Sequence, residues 1–377
     1  MKILYHHRIA SKDGQFVHVE ELTNAFLQQG HEIKFVAPSL NENSDFGHDG
    51  GFVAKLKRRL PVALYEILEL SYSLWIFIKL VIAIKQFKPE FIYERYNLYQ
   101  PAGIWVSKLF KIPLVLEVNA PLVEERSRYS GLSLLKFAKW IENYTWRNAT
   151  VILPVTDVLA DHLRQVGVKE ERITVIHNGV RQEFIDKMQI KDVTVNNNKE
   201  IVIGFTGFIH PWHGMDKAIK AIAEHKDLPL KLICVGRGKI LPELKLLAKE
   251  LGVSEKIEFA GLVTRDKVLD YVEQFDIALQ PDVTEYASPL KMFEYMAVGS
   301  VIIAPDCPNI REILNEKTAL FFEKGNQESF IEQLVYAIEN IDELTQLRTA
   351  VKDSINSNKF IWQENAKEVI RLARAER

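Results

Sequence analysis

A two-domain α/β fold with parallel sheets is what this sequence predicts, on three observations. Short β-branched or apolar runs alternate with helical patterns along the whole chain, the signature of parallel strands covered by helices. The alternation occurs twice, on either side of a polar stretch. At 377 residues the chain exceeds what one hydrophobic core usually supports.

In the first half the strand-like runs are Lys2 to His7, His31 to Pro38, Phe91 to Tyr96, Leu114 to Asn119, Val151 to Val155 and Ile173 to His177. From Lys187 to Glu200 the periodicity lapses around Asn196-Asn197-Asn198, which reads as a linker. The predicted division is therefore a first domain over 1–180, a linker over 181–199 and a second domain over 200–359, with 360–377 returning to the first. Second-half strands are expected at Ile201 to Thr206, Leu230 to Val235, Lys256 to Phe259, Asp276 to Gln280 and Val301 to Ala304. Amphipathic helices such as Leu241 to Leu251 separate them. Ligands of such sheets bind beyond the carboxyl ends of the strands, so two facing units imply a cleft between them.

Bulk composition narrows the function. Lys and Arg number 48 against 50 Asp and Glu, a net charge of -2, which gives no global attraction to nucleic acid. Two cysteines, Cys234 and Cys307, suggest neither a disulfide framework nor a cysteine zinc site, and point to a reducing compartment. The apolar run at the start is too short for a signal peptide, so a cytoplasmic location is expected. The most apolar stretch, Leu74 to Ile84, is interrupted by Lys79 and falls short of the ~20 residues that span a bilayer. Upstream, Lys55, Lys57, Arg58 and Arg59 form a basic cluster that is a candidate for peripheral contact with anionic lipid, against the plainer reading of a solvated face.

Three segments carry the candidate chemistry. After the strand ending at Thr206 comes Gly207-Phe208-Ile209-His210-Pro211-Trp212-His213-Gly214, with a helix starting near Met215. Glycine at such a turn lets the backbone approach a phosphate, and the helix start offers unpaired N–H groups, although a plain strand-to-helix turn reads the same way. Gly236-Arg237-Gly238 follows the next strand but lacks the third glycine of a dinucleotide fingerprint. No Walker loop occurs, so no nucleotide cofactor is expected. No Asp-x-Asp occurs either, so a phosphate would be met by protein cations and dipoles without a metal. In the third segment, Glu285 to Gly299, Ser288 is a good N-cap and Pro289 a good first helical residue. Lys291 and Glu294 share a face of that helix, plainly read as a surface ion pair, while Met292, Tyr295 and Met296 can turn to the core.

Taken together, Leu232 to Gly238, Leu244, Leu247 and Ala248, Ile257 to Val263, Asp276 to Pro281 and Glu294 to Ala297 resemble family 4 of the retaining nucleotide-sugar glycosyltransferases. The resemblance covers nearly the whole chain. It implies the GT-B architecture of two facing Rossmann-like domains, and transfer of a sugar from a nucleotide diphosphate donor to a glycan, lipid-linked or small-molecule acceptor. Polysaccharide or glycoconjugate synthesis is the implied setting, and another nucleotide-sugar enzyme such as an epimerase, or an inactive relative, is the alternative.

Carried over by position, Glu294 matches the second glutamate of the family's Glu, seven residues, Glu signature, and Tyr286 stands where the first would be. The family's phosphate-binding cations fall on Phe208 and His213, so Lys291 is expected to replace them. Gly14 lies in the first strand-to-helix loop, where relatives keep glycines near the diphosphate, and Asn119 stands where many carry a pocket histidine. The implied donor site is Gly14, Gly207, Gly214, Gly236, Arg237, Val263, Tyr286, Ser288, Leu290, Lys291 and Glu294, with Lys291, His213 and Asn119 as the catalytic candidates. Val123 to Gly131 and Phe46 to Phe52 are acceptor-side candidates by position.

Overall fold

The computed structural model describes residues 1–9, 14–38, 60–129, 131–188 and 200–376. The basic cluster at 55–59, the acceptor-side candidate 46–52 and most of the expected linker lie outside the described residues. The chain forms two compact units. One comprises Met1–Asn178, Tyr286–Ser288 and Trp362–Arg377, the other Gly179–Glu285 and Pro289–Ile361.

The first unit is a five-stranded parallel sheet of β1 (Lys2–His6), β2 (Glu32–Val36), β3 (Phe91–Arg95), β4 (Leu114–Val118) and β5 (Val151–Pro154), in the order β2-β1-β3-β4-β5. The order reverses between β1 and β3, and the crevice at their carboxyl ends is where such sheets take ligands. Ile173 to His177, expected as a strand, makes only a single bridge to β5, at Ile152. The long helix Val62–Phe87 corrects the sequence reading more deeply. Its 26 residues far exceed the apolar run Leu74 to Ile84, and it is long and apolar enough to cross a membrane by length and composition. One face, Ile76, Leu80, Ala83 and Ile84, is nevertheless buried in the core of this unit. The C-terminal helix Trp362–Ala375 packs on the helix Gly14–Gln28, with Trp362 edge-on to His18 at 4.9 Å.

The second unit is a six-stranded parallel sheet of β6 (Ile201–Thr206), β7 (Leu230–Val235), β8 (Ile257–Gly261), β9 (Ile277–Leu279), β10 (Val301–Asp306) and β11 (Leu320–Glu323), in the order β11-β10-β9-β6-β7-β8. The switch point falls between β6 and β9. Part of the expected linker is a helix, Gln182–Met188, because Phe184 and Ile185 are buried in the cluster that holds Phe293 and Phe360. Strand β11 was not expected from the sequence.

Candidate functional site

At the end of β6 the backbone of Thr206 is gripped from one helix, Leu290–Val298. Lys291 Nζ donates to the Thr206 carbonyl at 3.1 Å, and one turn later Tyr295 Oη accepts from the Thr206 N–H at 2.9 Å. Residues four apart share a helix face, so the two contacts dock that face on the carboxyl end of β6, at the switch point. Met292, Tyr295 and Met296 are buried, as the helical spacing suggests. Sequence reading missed Tyr295 as a fastener, since an aromatic at core spacing carries no mark of a polar task.

The helix begins at Leu290, not Pro289, and no side chain caps it. Ser288 does not serve as the cap. Its Oγ accepts the Asn178 N–H at 3.4 Å and its carbonyl accepts the Asn178 amide at 2.6 Å, which ties it to the first unit. Lys291 is thus the second helical residue, where the macrodipole disfavours a cation. Its ammonium also lies 4.1 Å from the Phe205 ring centroid. Burial pulls its pKa from 10.5 down to about 7, against the opposing pull of Glu294. The surface-pair reading is corrected on both sides: Glu294 is only 3% exposed, and the hydrogen bond of Lys291 goes to Thr206.

The glycines here have a packing reason as well as a ligand one. A Cβ on Gly236 would sit 2.0 Å from the Gly207 carbonyl oxygen, and Gly236 has φ 136°. Only glycine permits this approach. The loops after β6, β7 and β8 are stitched together by it, with Gly207 N donating to Val235 O, Ile209 N to Arg237 O and Gly236 N to Gly261 O. A Cβ on Gly207 would lie 3.8 Å from Lys291 Nζ, so that amine faces the Gly207 turn. Gly214, at φ 62° with open space at its Cβ position, starts the helix Met215–Glu224.

His213 is buried and does not supply the missing cation. Burial, then Lys291 and His210, pull its pKa from 6.5 down to about 3. Its Nδ1 accepts the His210 N–H at 3.3 Å, so the proton of the neutral ring sits on Nε2. Arg237 extends its guanidinium over the Phe208 ring at 5.6 Å, which brings a cation to the very residue where the family position lacks one. Val263 is half-buried against the core and Leu290 is half-buried at the helix start. Tyr286 belongs to the first unit. Its hydroxyl donates to Glu125 at 2.7 Å and its carbonyl accepts from Thr156 at 2.9 Å.

The first unit has its own polar cluster at the ends of β1, β3 and β4. His6 pairs with Glu94 at 2.9 Å, both buried. Glu117 takes hydrogen bonds from Tyr93 at 2.5 Å, from Arg95 and from Asn119, with His18 at 3.5 Å. Burial pushes the Glu117 pKa up, but His18, Arg95 and the bonds from Tyr93 and Asn119 outweigh it and hold the carboxyl below its ordinary value. A carboxylate only accepts, so Asn119 must turn Nδ2 to it and offer a ligand Oδ1. Glu117, Arg95 and His18 were not singled out as site residues from sequence. The available signal was a charge at the C-terminal end of an otherwise apolar strand. Gly14 opens the helix Gly14–Gln28 in this unit. Among the described residues no group of three or more His, Cys, Asp or Glu is placed to hold a metal ion.

Comparison with known proteins settles the lineage. A family model described as Glycosyltransferase Family 4 matches residues 12–184, and one described as Glycosyl transferases group 1 matches residues 200–340. The chain belongs to glycosyltransferase family 4. Among curated proteins it is 19% identical to an alpha-monoglucosyldiacylglycerol synthase of Streptococcus pneumoniae over 64% of this chain and 58% of that one. It is 24% identical to a D-inositol 3-phosphate glycosyltransferase of Corynebacterium urealyticum over 46% of this chain and 43% of that one. These matches span little more than half the length of the relatives at best. Among solved structures, Anabaena HepE in complex with UDP superposes with a TM-score of 0.70 at 15% identity, over the whole of both chains. Sucrose-phosphate synthase from Thermosynechococcus elongatus gives 0.73 at 13% identity, over 100% of this chain and 98% of that one. The fold is that of the GT-B glycosyltransferases.

Proposed function

We propose that this family 4 member transfers a sugar, with retention, from a nucleotide diphosphate donor to a glycan, lipid-linked or small-molecule acceptor, in the cytoplasm and without a metal ion. The observation that carries the reading is Lys291. It is half-buried at the switch point of the second unit, on the uncapped first turn of a helix, with its pKa drawn down to about 7. A cation held so unfavourably is stabilised by an incoming anion, and a diphosphate would meet the amine and the free helix N–H groups together.

In the forward step the anomeric C–O bond to the diphosphate breaks and the acceptor oxygen bonds to the same face of the sugar. The leaving phosphate oxygen takes up the acceptor's proton. Lys291, Arg237 and the helix N-terminus stabilise the charge growing on that phosphate, and neutral His213 donates from Nε2. Glu294 accepts from the ribose hydroxyls, and Asn119 accepts a hydroxyl through Oδ1. UDP is the first nucleotide to test, because the HepE structure holds it. A thermal-shift screen over UDP, GDP, ADP and TDP tests the reading. A nucleotide at one hundred times its Kd stabilises by about 2.7 kcal/mol. Stabilisation by at least one of them, reduced at the same nucleotide concentration in Lys291→Met, is expected, and no shift with any would refute it.

A further inference from the structure

The helix Val62–Phe87 presents a second face that, among the described residues, is left uncovered. Val62, Leu64, Ile67, Leu68, Leu74, Trp75, Ile78 and Ile82 are all exposed, Leu74 to 61% and Ile78 to 56%. Leu64, Ile67, Leu68, Leu74, Trp75, Ile78 and Ile82 fall within roughly 120° of one another around the helix axis, one stripe from Leu64 to Ile82, roughly 28 Å of helix. A second apolar surface stands on the adjacent helix Leu135–Asn148. There Leu135, Phe137 and Trp140 are exposed, and the rings of Phe137, Trp140 and Tyr144 stack in sequence. The helices are joined by Glu66, whose carboxylate accepts from the N–H groups of Ser133 and Leu134 at the entry to the second helix.

The charges on these helices are sorted by sign. Each carboxylate is turned inward and paired. Glu66 also accepts from Tyr99, Glu69 lies between Arg126 and Arg8, and Glu142 accepts from Tyr96 and Val123. The exposed charges are Lys79, Lys85, Lys136, Lys139 and Arg147, all basic. Lys79 lies over the Trp75 ring at 3.6 Å, an aliphatic stem and cation on an aromatic plate at the edge of the apolar stripe. An apolar stripe edged by lysines and aromatics, without an exposed acid, complements the acyl boundary and headgroups of an anionic bilayer. A second copy docked on the same face would set lysine against lysine. Crossing the bilayer would strip Ile76, Leu80, Ala83 and Ile84 from the core of the sheet, so the helix lies along the surface.

We propose that the face formed by the helices Val62–Phe87 and Leu135–Asn148 docks on an anionic lipid surface, with the longer helix in the plane of the interface. The inference makes no use of the basic cluster at 55–59, and it stands whether or not the donor reading holds.

The test is co-sedimentation of the full chain with vesicles of phosphatidylcholine alone and of phosphatidylcholine with phosphatidylglycerol at about three to one. The protein should pellet with the anionic vesicles, weakly with the neutral ones, and less as salt is raised. The paired substitution Leu74→Ser with Ile78→Ser should lower binding by at least about tenfold, because both side chains face solvent and their apolar contact is lost. Lys79→Gln and Lys85→Gln should each lower it by roughly fivefold. Both sets should keep the wild-type melting temperature and circular dichroism. The proposal is overturned if the wild-type chain stays in the supernatant with anionic vesicles, or if the lysine variants bind as tightly as the wild type. It is equally overturned if size exclusion shows a dimer that the Leu74→Ser, Ile78→Ser variant converts to monomer.

Discussion

Replacing Lys291 by methionine keeps the length of the side chain and its packing on Phe205 but removes the ammonium that reaches Thr206. In the free protein burial holds the Lys291 pKa at about 7 instead of 10.5, so near pH 7 the amine is about half protonated. A bound diphosphate that returned it to its ordinary value would couple a ceiling of about 5 kcal/mol to the anion, at 1.36 kcal/mol for each pKa unit. Part of that ceiling is spent on solvent displaced from the site, and a loss of about ten- to a hundredfold in UDP affinity is expected for the variant. Turnover should fall by about a hundredfold or more, because the charge on the leaving phosphate is largest in the transition state. Calorimetric titration of UDP from pH 7 to pH 9 is the assay. The terminal phosphate of UDP, with a second pKa of about 6, is already largely ionised across that window, so a fall in affinity with rising pH beyond that of the methionine variant, with proton uptake seen as a dependence on buffer ionisation heat, reports Lys291. The methionine variant should be nearly flat.

Folding gives a second readout of opposite sign. The depressed pKa means that the unfolded chain binds the extra proton between about pH 7 and 10.5, so this group makes the free protein more stable as pH rises through that window. The methionine variant should lose that slope and melt no lower than wild type at pH 7. UDP binding that is independent of pH and unchanged in the variant would refute the reasoning.

Other expectations follow from individual groups. Glu294→Gln should weaken UDP binding by about tenfold, since a carboxylate accepts from ribose hydroxyls more strongly than an amide, and equilibrium titration checks it. Turnover should persist in EDTA, and loss with rescue by Mg²⁺ or Mn²⁺ would contradict the metal-free reading. Glu142 is buried on the helix Leu135–Asn148, and burial raises its pKa to about 7, against the bonds it accepts. Its contribution is fully present below about pH 4.5 and lost as pH rises through 7, so Glu142→Gln should remove up to about 3 kcal/mol of that pH dependence, measured as melting temperature from pH 5 to 8.

Much of the fold was legible because parallel strands buried on both faces read as apolar runs, as at Leu232 to Val235 and Val301 to Ala304. Strand β11 escaped because Leu320-Phe321-Phe322-Glu323 is short and sits at the sheet edge, half-buried. The helix Val62–Phe87 runs far beyond Leu74 to Ile84 because Glu66 and Glu69, charges upstream of that apolar run, turn inward to partners that the sequence does not reveal. Ser288 misled for a related reason. Its type and position suit an N-cap, but a tertiary partner, Asn178, took its hydroxyl. Within the site, Lys291 and Glu294 were visible as charges on one face of a predicted helix. The role of Glu117 was not, because its donors Tyr93, Arg95 and Asn119 come from different strands or strand ends.

The central claim is tested most directly by incubating the protein with UDP-, GDP-, ADP- and TDP-sugars in EDTA and measuring release of the nucleoside diphosphate, beside the Lys291→Met variant. The account predicts that at least one donor is slowly hydrolysed by the wild-type chain, about a hundredfold or more faster than by the variant. Release from none of these donors, or equal release by wild type and variant, would contradict it.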